Sequence, residues 1–253
     1  MTTVKDIYNY IDSFAPFDTA ESYDNVGILV GDPQKKVTTV LAALDITLNV
    51  IQEAADLGAE LIISHHPVIF NPLKKVIVGH PVYELIQNNI SAICVHTNLD
   101  KSAVFGVNTE LGKAMGLQNV LIPEDNGILF TGNTSYPITA EEFAVSIKKS
   151  LYCESLVYSK NNNCINKVGF CSGAGGSEIF SAIKCGCDAF VTGEIKHHEI
   201  IAANENGVSV FVPGHYKTED VVIQPLCGKL SEQFKNVRFV KSKCFDDKME
   251  YII

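Results

Sequence analysis

The chain reads as an α/β protein built from two similar mixed α/β domains. Two observations predict this. Short apolar runs of strand character alternate with segments whose apolar residues recur at helical spacing, along most of the 253 residues. The series is interrupted by one strong break, Pro123-Glu124-Asp125-Asn126-Gly127, and then starts again.

The elements follow in order. Met1 to Phe14 reads as a polar amphipathic helix. Val26 to Val30 and Thr39 to Leu44 are strand-like, with a turn at Gly31-Asp32-Pro33 between them. Thr47 to Leu57 carries Leu48, Ile51 and Ala55 at helical spacing and stops at Gly58. A strand at Leu61 to Ile63, a helix at Pro81 to Gln87, a strand at Ile90 to Val95 and a helix at Val107 to Met115 complete the first series. After the break come a strand at Gly127 to Thr131, a helix at Ala140 to Ser150, and strands at Leu156 to Tyr158 and Lys167 to Cys171. A helix at Glu178 to Lys184, a strand at Asp188 to Val191, a helix at His198 to Asn204 and a strand at Val208 to Val212 continue it. The last elements are a helix from about His215 to Phe234 and a strand at Val237 to Val240. The predicted division is a first domain of residues 1–125 completed by 212–253, and a second of residues 126–211. The break near Pro123 to Gly127 is the expected hinge or boundary.

Composition bounds the function. Apolar residues make up 46% and charged residues 19%, which is globular and not disordered. The net charge is -9 with the basic residues dispersed, which argues against nucleic acid as a partner. No apolar run approaches the roughly 18 residues of a membrane span. The amino terminus lacks a basic stretch followed by an apolar one, so a cytoplasmic protein is expected. Its eight cysteines are then thiols. Cys94, Cys164 and Cys171 lie in or beside strand-like runs and read as buried, and Cys185-Gly186-Cys187 lacks the spacing of a redox pair.

Six of the seven histidines fall in four motifs, each following a strand-like run. They are Ser64-His65-His66-Pro67, His96-Thr97-Asn98-Leu99-Asp100, Gly193-Glu194-Ile195-Lys196-His197-His198-Glu199, and Gly214-His215-Tyr216-Lys217-Thr218-Glu219. Ligands of open α/β sheets sit beyond the carboxyl ends of the strands, so histidines with carboxylates there suggest a metal site. Adjacent histidines on an extended segment point to opposite sides. They suit two ions a few ångströms apart better than one, and Pro67 helps hold that segment extended. The competing reading is a satisfied polar pair at a strand end. His96 and Asp100 are four apart, as are His215 and Glu219, which on a helix places each pair on one face. The competing readings are a helix cap for Asp100 and a helix-dipole role for Glu219. Two to four histidines and two carboxylates match the composition of a two-metal hydrolytic site. Imidazole suits zinc, iron, manganese or nickel.

The four motifs, in that order and with Tyr23-Asp24-Asn25-Val26-Gly27 before them, resemble the Nif-three-like dinuclear metal-centre family, whose bacterial members are named GTP cyclohydrolase 1 type 2 homologues. Many members carry tryptophan where Tyr23 stands. The resemblance covers essentially the whole chain, in its short bacterial form. It implies two similar α/β domains with a dinuclear site between them, holding two divalent ions. The implied ligands are His65, His66, Asp100, His215 and Glu219, with Glu219 bridging the ions. His96 fits the motif as a ligand or as a group orienting Asp100. His197 and His198 fit a motif near the site, where they would contact substrate or move protons; the competing reading is a surface pair. The glycine-rich turn with Gly173, Gly175 and Gly176 could cradle phosphate, or could simply be a tight strand-to-helix turn. The expected activity is metal-dependent hydrolysis of a small molecule such as a nucleotide: opening of the guanine ring of GTP, or cleavage of a phosphoester or cyclic amide. The resemblance also implies a homohexameric ring. The alternative is a non-enzymatic metal-binding scaffold or regulatory protein forming such a ring.

Overall fold

The computed structural model describes residues 1–123, 127–161 and 164–244. Residues 124–126, the centre of the predicted hinge, lie outside that description. In chain order the first elements are α1 (Val4–Asp12), β1 (Gly27–Val30), β2 (Thr39–Ala43), α2 (Leu48–Asp56), β3 (Leu61–Ser64), α3 (Pro81–Gln87) and β4 (Ser91–Cys94). Then come α4 (Thr97–Lys101), α5 (Val107–Ala114), β5 (Gln118–Leu121), β6 (Phe130–Ile138), α6 (Ala140–Ser150), β7 (Val157–Ser159) and β8 (Ile165–Cys171). The last are α7 (Ile179–Lys184), β9 (Ala189–Thr192), α8 (His197–Glu205), β10 (Ser209–Val212), α9 (His215–Glu219), α10 (Ile223–Gln233) and β11 (Arg238–Lys241).

Two compact units result. Residues 1–99 and 223–244 form one, and residues 100–222 the other. The first holds a sheet of order β1-β4-β3-β2-β11. Its strands β4, β3, β2 and β11 run parallel, with β1 antiparallel at one edge. Every residue of β3 and β4 is buried, as strands covered on both faces require. Leu41 and Ile62 pack with Val50 and Ile51 of α2 and Leu85 of α3. Helix α1 begins at a capping box between Thr3 and Asp6 and buries Val4, Ile7 and Ile11, the face set by helical spacing.

The second unit holds a sheet of order β5-β6-β8-β9-β10-β7. Strands β8, β9 and β10 are parallel, flanked by antiparallel neighbours. Phe130, Phe170 and Phe211 fill its core against Phe143 and Ile147 of α6. Helix α6 starts at a second capping box, Thr139 with Glu142.

The structure departs from the sequence reading at definite places. The edge strand β5 was not foreseen, because Gln118 and Asn119 are exposed and give no apolar run. The single helix expected over 215–234 is broken: α9 ends at Glu219, a tight turn spans Asp220–Val222, and α10 follows. Pro225 explains the break, since its ring excludes the carbonyl one turn earlier and it has no N–H to give. Cys164 is exposed rather than buried, because β8 begins only at Ile165. The remaining cysteines form no disulfide either.

The chain passes from the first unit to the second between Leu99 and Asp100, ahead of the break at 123–127. Packing accounts for this. Leu111 of α5, with Met115 and Leu117, belongs to the same apolar cluster as Phe130 and Phe170. The chain returns between Val222 and Ile223, so α9 belongs with the second unit and α10 and β11 with the first. Among the described residues, no helix is long and apolar enough to cross a membrane.

Candidate metal centre

In the first unit, His65 and His66 follow the last residue of β3, and His96 stands two residues past the end of its parallel neighbour β4. Pairing carries on beyond the strand proper: the His65 and His66 amides donate to the carbonyls of Ala43 and Leu44 at 3.2 and 2.9 Å. Both histidine segments are therefore fixed by backbone bonds at one sheet edge. The three rings gather there, with centroids 5.0 to 5.6 Å apart. One nitrogen from each lies within 4.8 Å of the others.

Each ring is also held from behind. His65 Nδ1 is 2.9 Å from the Val95 carbonyl, His66 Nδ1 2.8 Å from Asp45, and His96 Nδ1 2.9 Å from Asp24. A carbonyl or an ionised carboxylate can only accept, so Nδ1 carries the proton and Nε2 keeps its lone pair. That is the tautomer a metal ligand needs. Asp24 has no exposed side-chain surface. Burial alone would raise its pKa, but hydrogen bonds from His96 and Thr97 outweigh it and hold the carboxyl well below the usual range.

In the second unit, Asp100 is 5% exposed and Glu219 4%, two carboxylates withdrawn from water. Asn108, fully buried, donates to the Asp100 carbonyl at 3.1 Å and accepts the Ser172 amide at 2.8 Å. The Ser172 hydroxyl is 3.5 Å from Asp100 Oδ1. Gly214, at φ 105°, turns the chain from β10 into α9, where His215 and Glu219 share a face. His215 Nδ1 is 2.7 Å from Glu194, just past the end of β9, and its Nε2 is 3.1 Å from Glu219 Oε2. These last two atoms are donor types that one divalent ion can take together. Their spacing is that of neighbouring ligands on an ion with bonds of about 2.1 Å, for which edges of roughly 3.0–3.4 Å are expected.

The glycine turn has a packing role beside these groups. A Cβ on Gly173, at φ 58°, would stand 2.0 Å from Glu219 Oε1 and 3.3 Å from His215 Nε2. A Cβ on Gly175 would meet Cys171 Sγ at 2.4 Å, and one on Gly176 would meet Glu199 Oε2 at 2.6 Å. The Gly173 amide is engaged by the Thr218 hydroxyl at 3.0 Å. Bare backbone is thus what lets the turn close on α9. Burial, with Asp100, Glu178 and Glu219 nearby, pushes the Cys171 thiol far up.

His197 and His198 open α8 and are exposed; His198 Nε2 lies 4.0 Å from Glu199. They share no group of candidate ligands with the other histidines among the described residues. The sequence reading quoted Asp24 and Glu194 within its motifs but gave them no role, and did not name Asp45; these are the carboxylates behind three of the imidazoles. Asp45 sits just past β2, so the strand-end rule that found the histidines could have found it too. The donor set suits a borderline divalent cation: neutral imidazoles with fixed tautomers, and anionic oxygens held in a cradle that a single methyl would fill.

A family model described as Duf34/NIF3 (NGG1p interacting factor 3) matches residues 2–248. The chain belongs to the Duf34/NIF3 family. Its family members include a Clostridium perfringens protein named GTP cyclohydrolase 1 type 2 homolog, 34% identical over 261 residues and covering 98% of this chain and 99% of that relative. A Clostridium acetobutylicum protein of the same name is 32% identical over 228 residues, 85% of each chain. Among solved structures, the Staphylococcus aureus hypothetical protein SA1388 superposes with a TM-score of 0.93 at 32% identity, covering 99% of both chains. Reduced HcgD from Methanocaldococcus jannaschii gives 0.82 at 28% identity, over 96% of this chain and 98% of that one. The Duf34/NIF3 fold of two α/β units, expected from the sequence, is therefore shared with solved relatives.

Proposed function

We propose that this Duf34/NIF3 protein is a divalent-metal-dependent hydrolase, with two ions per chain bound by His65, His66, Asp100, His215 and Glu219. The observation that carries the reading is the uniform tautomer: each of these imidazoles is held at Nδ1 and presents Nε2. Bound ions would supply an activated water at neutral pH and polarise the group it attacks. The residues around them have distinct tasks. His65, His66 and His215 would give imidazole donors to the ions, while Asp100 and Glu219 would supply the anionic charge. Two carboxylates against two dications leave a positive site, which suits an anionic substrate such as a nucleotide. His96 keeps Nε2 free to accept a proton or to join the ligands. His197 and His198, exposed at the start of α8, would touch substrate.

The relatives' name points to hydrolytic opening of the guanine ring of GTP, and phosphoesters and cyclic amides belong to the same chemical reach. The homohexameric ring is part of this proposal. Elemental analysis of protein purified without chelator should approach two transition-metal ions per chain. The loaded protein should turn over at least one member of a panel of nucleotides, phosphoesters and cyclic amides, and Glu219→Ala should abolish both metal and turnover. Absence of metal, with no uptake on addition, would sink the site. Full metal content without turnover on the whole panel would replace the hydrolase by a metal-binding scaffold. Light scattering that finds a monomer at every concentration would remove the ring.

A further inference from the structure

One sequence motif plays no part in the ligand set: Tyr23-Asp24-Asn25. Its residues reach both histidine segments of the first unit. Asp24 Oδ1 is 2.9 Å from His96 Nδ1. Its Oδ2 accepts from the Thr97 amide at 3.0 Å and the Thr97 hydroxyl at 2.5 Å. Asn25 Nδ2 donates to the carbonyl of Ile69 at 2.6 Å, in the loop that follows His66-Pro67. The Glu21 amide donates to the Thr97 hydroxyl at 2.9 Å, closing the same knot. The tripeptide therefore ties the segment after β3 to the segment after β4.

We infer that Asp24 is a positioning residue: it fixes His96 as the Nδ1–H tautomer and couples that ring to the first turn of α4, the helix that carries Asp100. The inference deepens the metal-centre reading, and its metal readout rests on it. Four bonds converge on the two carboxylate oxygens, the fourth from the Asn25 amide to Oδ1 at 2.7 Å, and all four partners donate. The Asn25 and Thr97 amides cannot reverse their roles. An imidazole can, by moving its proton from Nδ1 to Nε2. This asymmetry predicts what an amide at position 24 would do. Asparagine has one acceptor oxygen and one NH2 group. The oxygen stays on Thr97, which offers an amide and a hydroxyl, so the NH2 group takes the other side, displaces only the local bond from the neighbouring Asn25 amide and donates to His96 Nδ1. The proton then sits on Nε2, and that nitrogen can neither ligate an ion nor accept a proton. A carboxamide that imposes the wrong histidine tautomer is a known way to disable a histidine without moving it.

The test compares wild type, Asp24→Asn and Thr97→Val, each labelled with 15N-histidine and studied without metal at mildly alkaline pH. His96 resonances are assigned from the spectrum of His96→Gln. Wild type should show His96 protonated at Nδ1. Asp24→Asn should show it protonated at Nε2, with circular dichroism unchanged. Thr97→Val, which loses only the hydroxyl, should keep the wild-type tautomer; a switch there would overturn the assignment of control to Asp24. Zinc affinity, measured by competition with a chromophoric chelator, should fall about 10–100-fold in Asp24→Asn, the range seen when an orienting partner of a ligand is lost. An Nε2–H tautomer in wild type, or an unchanged tautomer in Asp24→Asn, overturns the inference. If Asp24→Asn fails to fold, the wild-type spectrum still decides. A switched tautomer with wild-type zinc affinity would overturn the link from His96 to the ions. A wild type that binds no zinc at all would sink the metal centre, while the tautomer result would stand alone.

Discussion

The two units carry different sets of candidate ligands. The first contributes imidazoles: His65, His66 and His96 sit at the ends of adjacent parallel strands, each with Nδ1 tied to a carbonyl or carboxylate. The second carries His215 with two carboxylates: Asp100 and Glu219 are almost wholly buried, and Gly173 leaves room for Glu219. A neutral ring can be held ready without an ion, because its proton already has a partner. A buried carboxylate is costly until a cation or hydrogen-bond donors compensate it. The first unit thus rests on rings held at Nδ1, and the second on carboxylates withdrawn from water.

Substitution at Gly173 should give the largest effect on this contrast. Gly173→Ala forces a left-handed backbone angle on alanine, costing about 1–2 kcal/mol, and drives a methyl into Glu219 Oε1 at 2.0 Å. The expected outcome is loss of most bound metal together with a lower melting temperature, read by elemental analysis and calorimetry. Retention of full metal content would show that Glu219 has room to move, and that the cradle is looser than its geometry.

A second outcome concerns acid. The Asp24 carboxyl is held well below its ordinary value of 3.8. Its contribution to stability is complete above that ordinary value and is lost as pH falls from there toward the depressed native one. Denaturant titrations of metal-free protein should therefore show wild type losing stability as pH drops below about 4, with a shallower loss in Asp24→Asn. Identical acid limbs would mean that Asp24 is no better solvated by His96 and Thr97 than by water.

The smallest effect on metal is expected at the rim. His197→Ala removes an exposed ring at the start of α8 that belongs to no ligand group. Metal content should stay near normal while turnover on a responsive substrate falls. Emptying of the site as complete as in Glu219→Ala would place His197 among the ligands and redraw the contrast between the two units.

Much of this was legible in the residues. Strands in parallel sheets are buried on both faces, so Leu61-Ile62-Ile63 and Ser91 to Cys94 announce themselves as short runs rich in buried side chains. Helix α6 is bounded by its capping box as the pattern requires. Edge strand β5 was hidden because its exposed Gln118 and Asn119 leave no period to read. The histidine motifs were visible because spacing and order are properties of the chain. Their partners were not: Asp24 lies 72 residues from His96, Asp45 lies 21 from His66, and Glu194 lies 21 from His215. No local pattern joins residues so far apart.

The sequence by itself determined the class of fold, the family, and the residue types at the strand ends, because periodicity, turn residues and ordered motifs are local and survive without coordinates. Only the tertiary structure decided which nitrogen each imidazole presents, since that depends on a carbonyl or carboxylate brought in from another part of the chain. It also decided where the chain changes units. Leu111 packs with Phe130 and Phe170, and Thr218 bonds the Gly173 turn, so burial and hydrogen bonding drew the boundary at Leu99–Asp100 and Val222–Ile223. A break in composition marks where a chain can turn, whereas a unit ends where its buried contacts end.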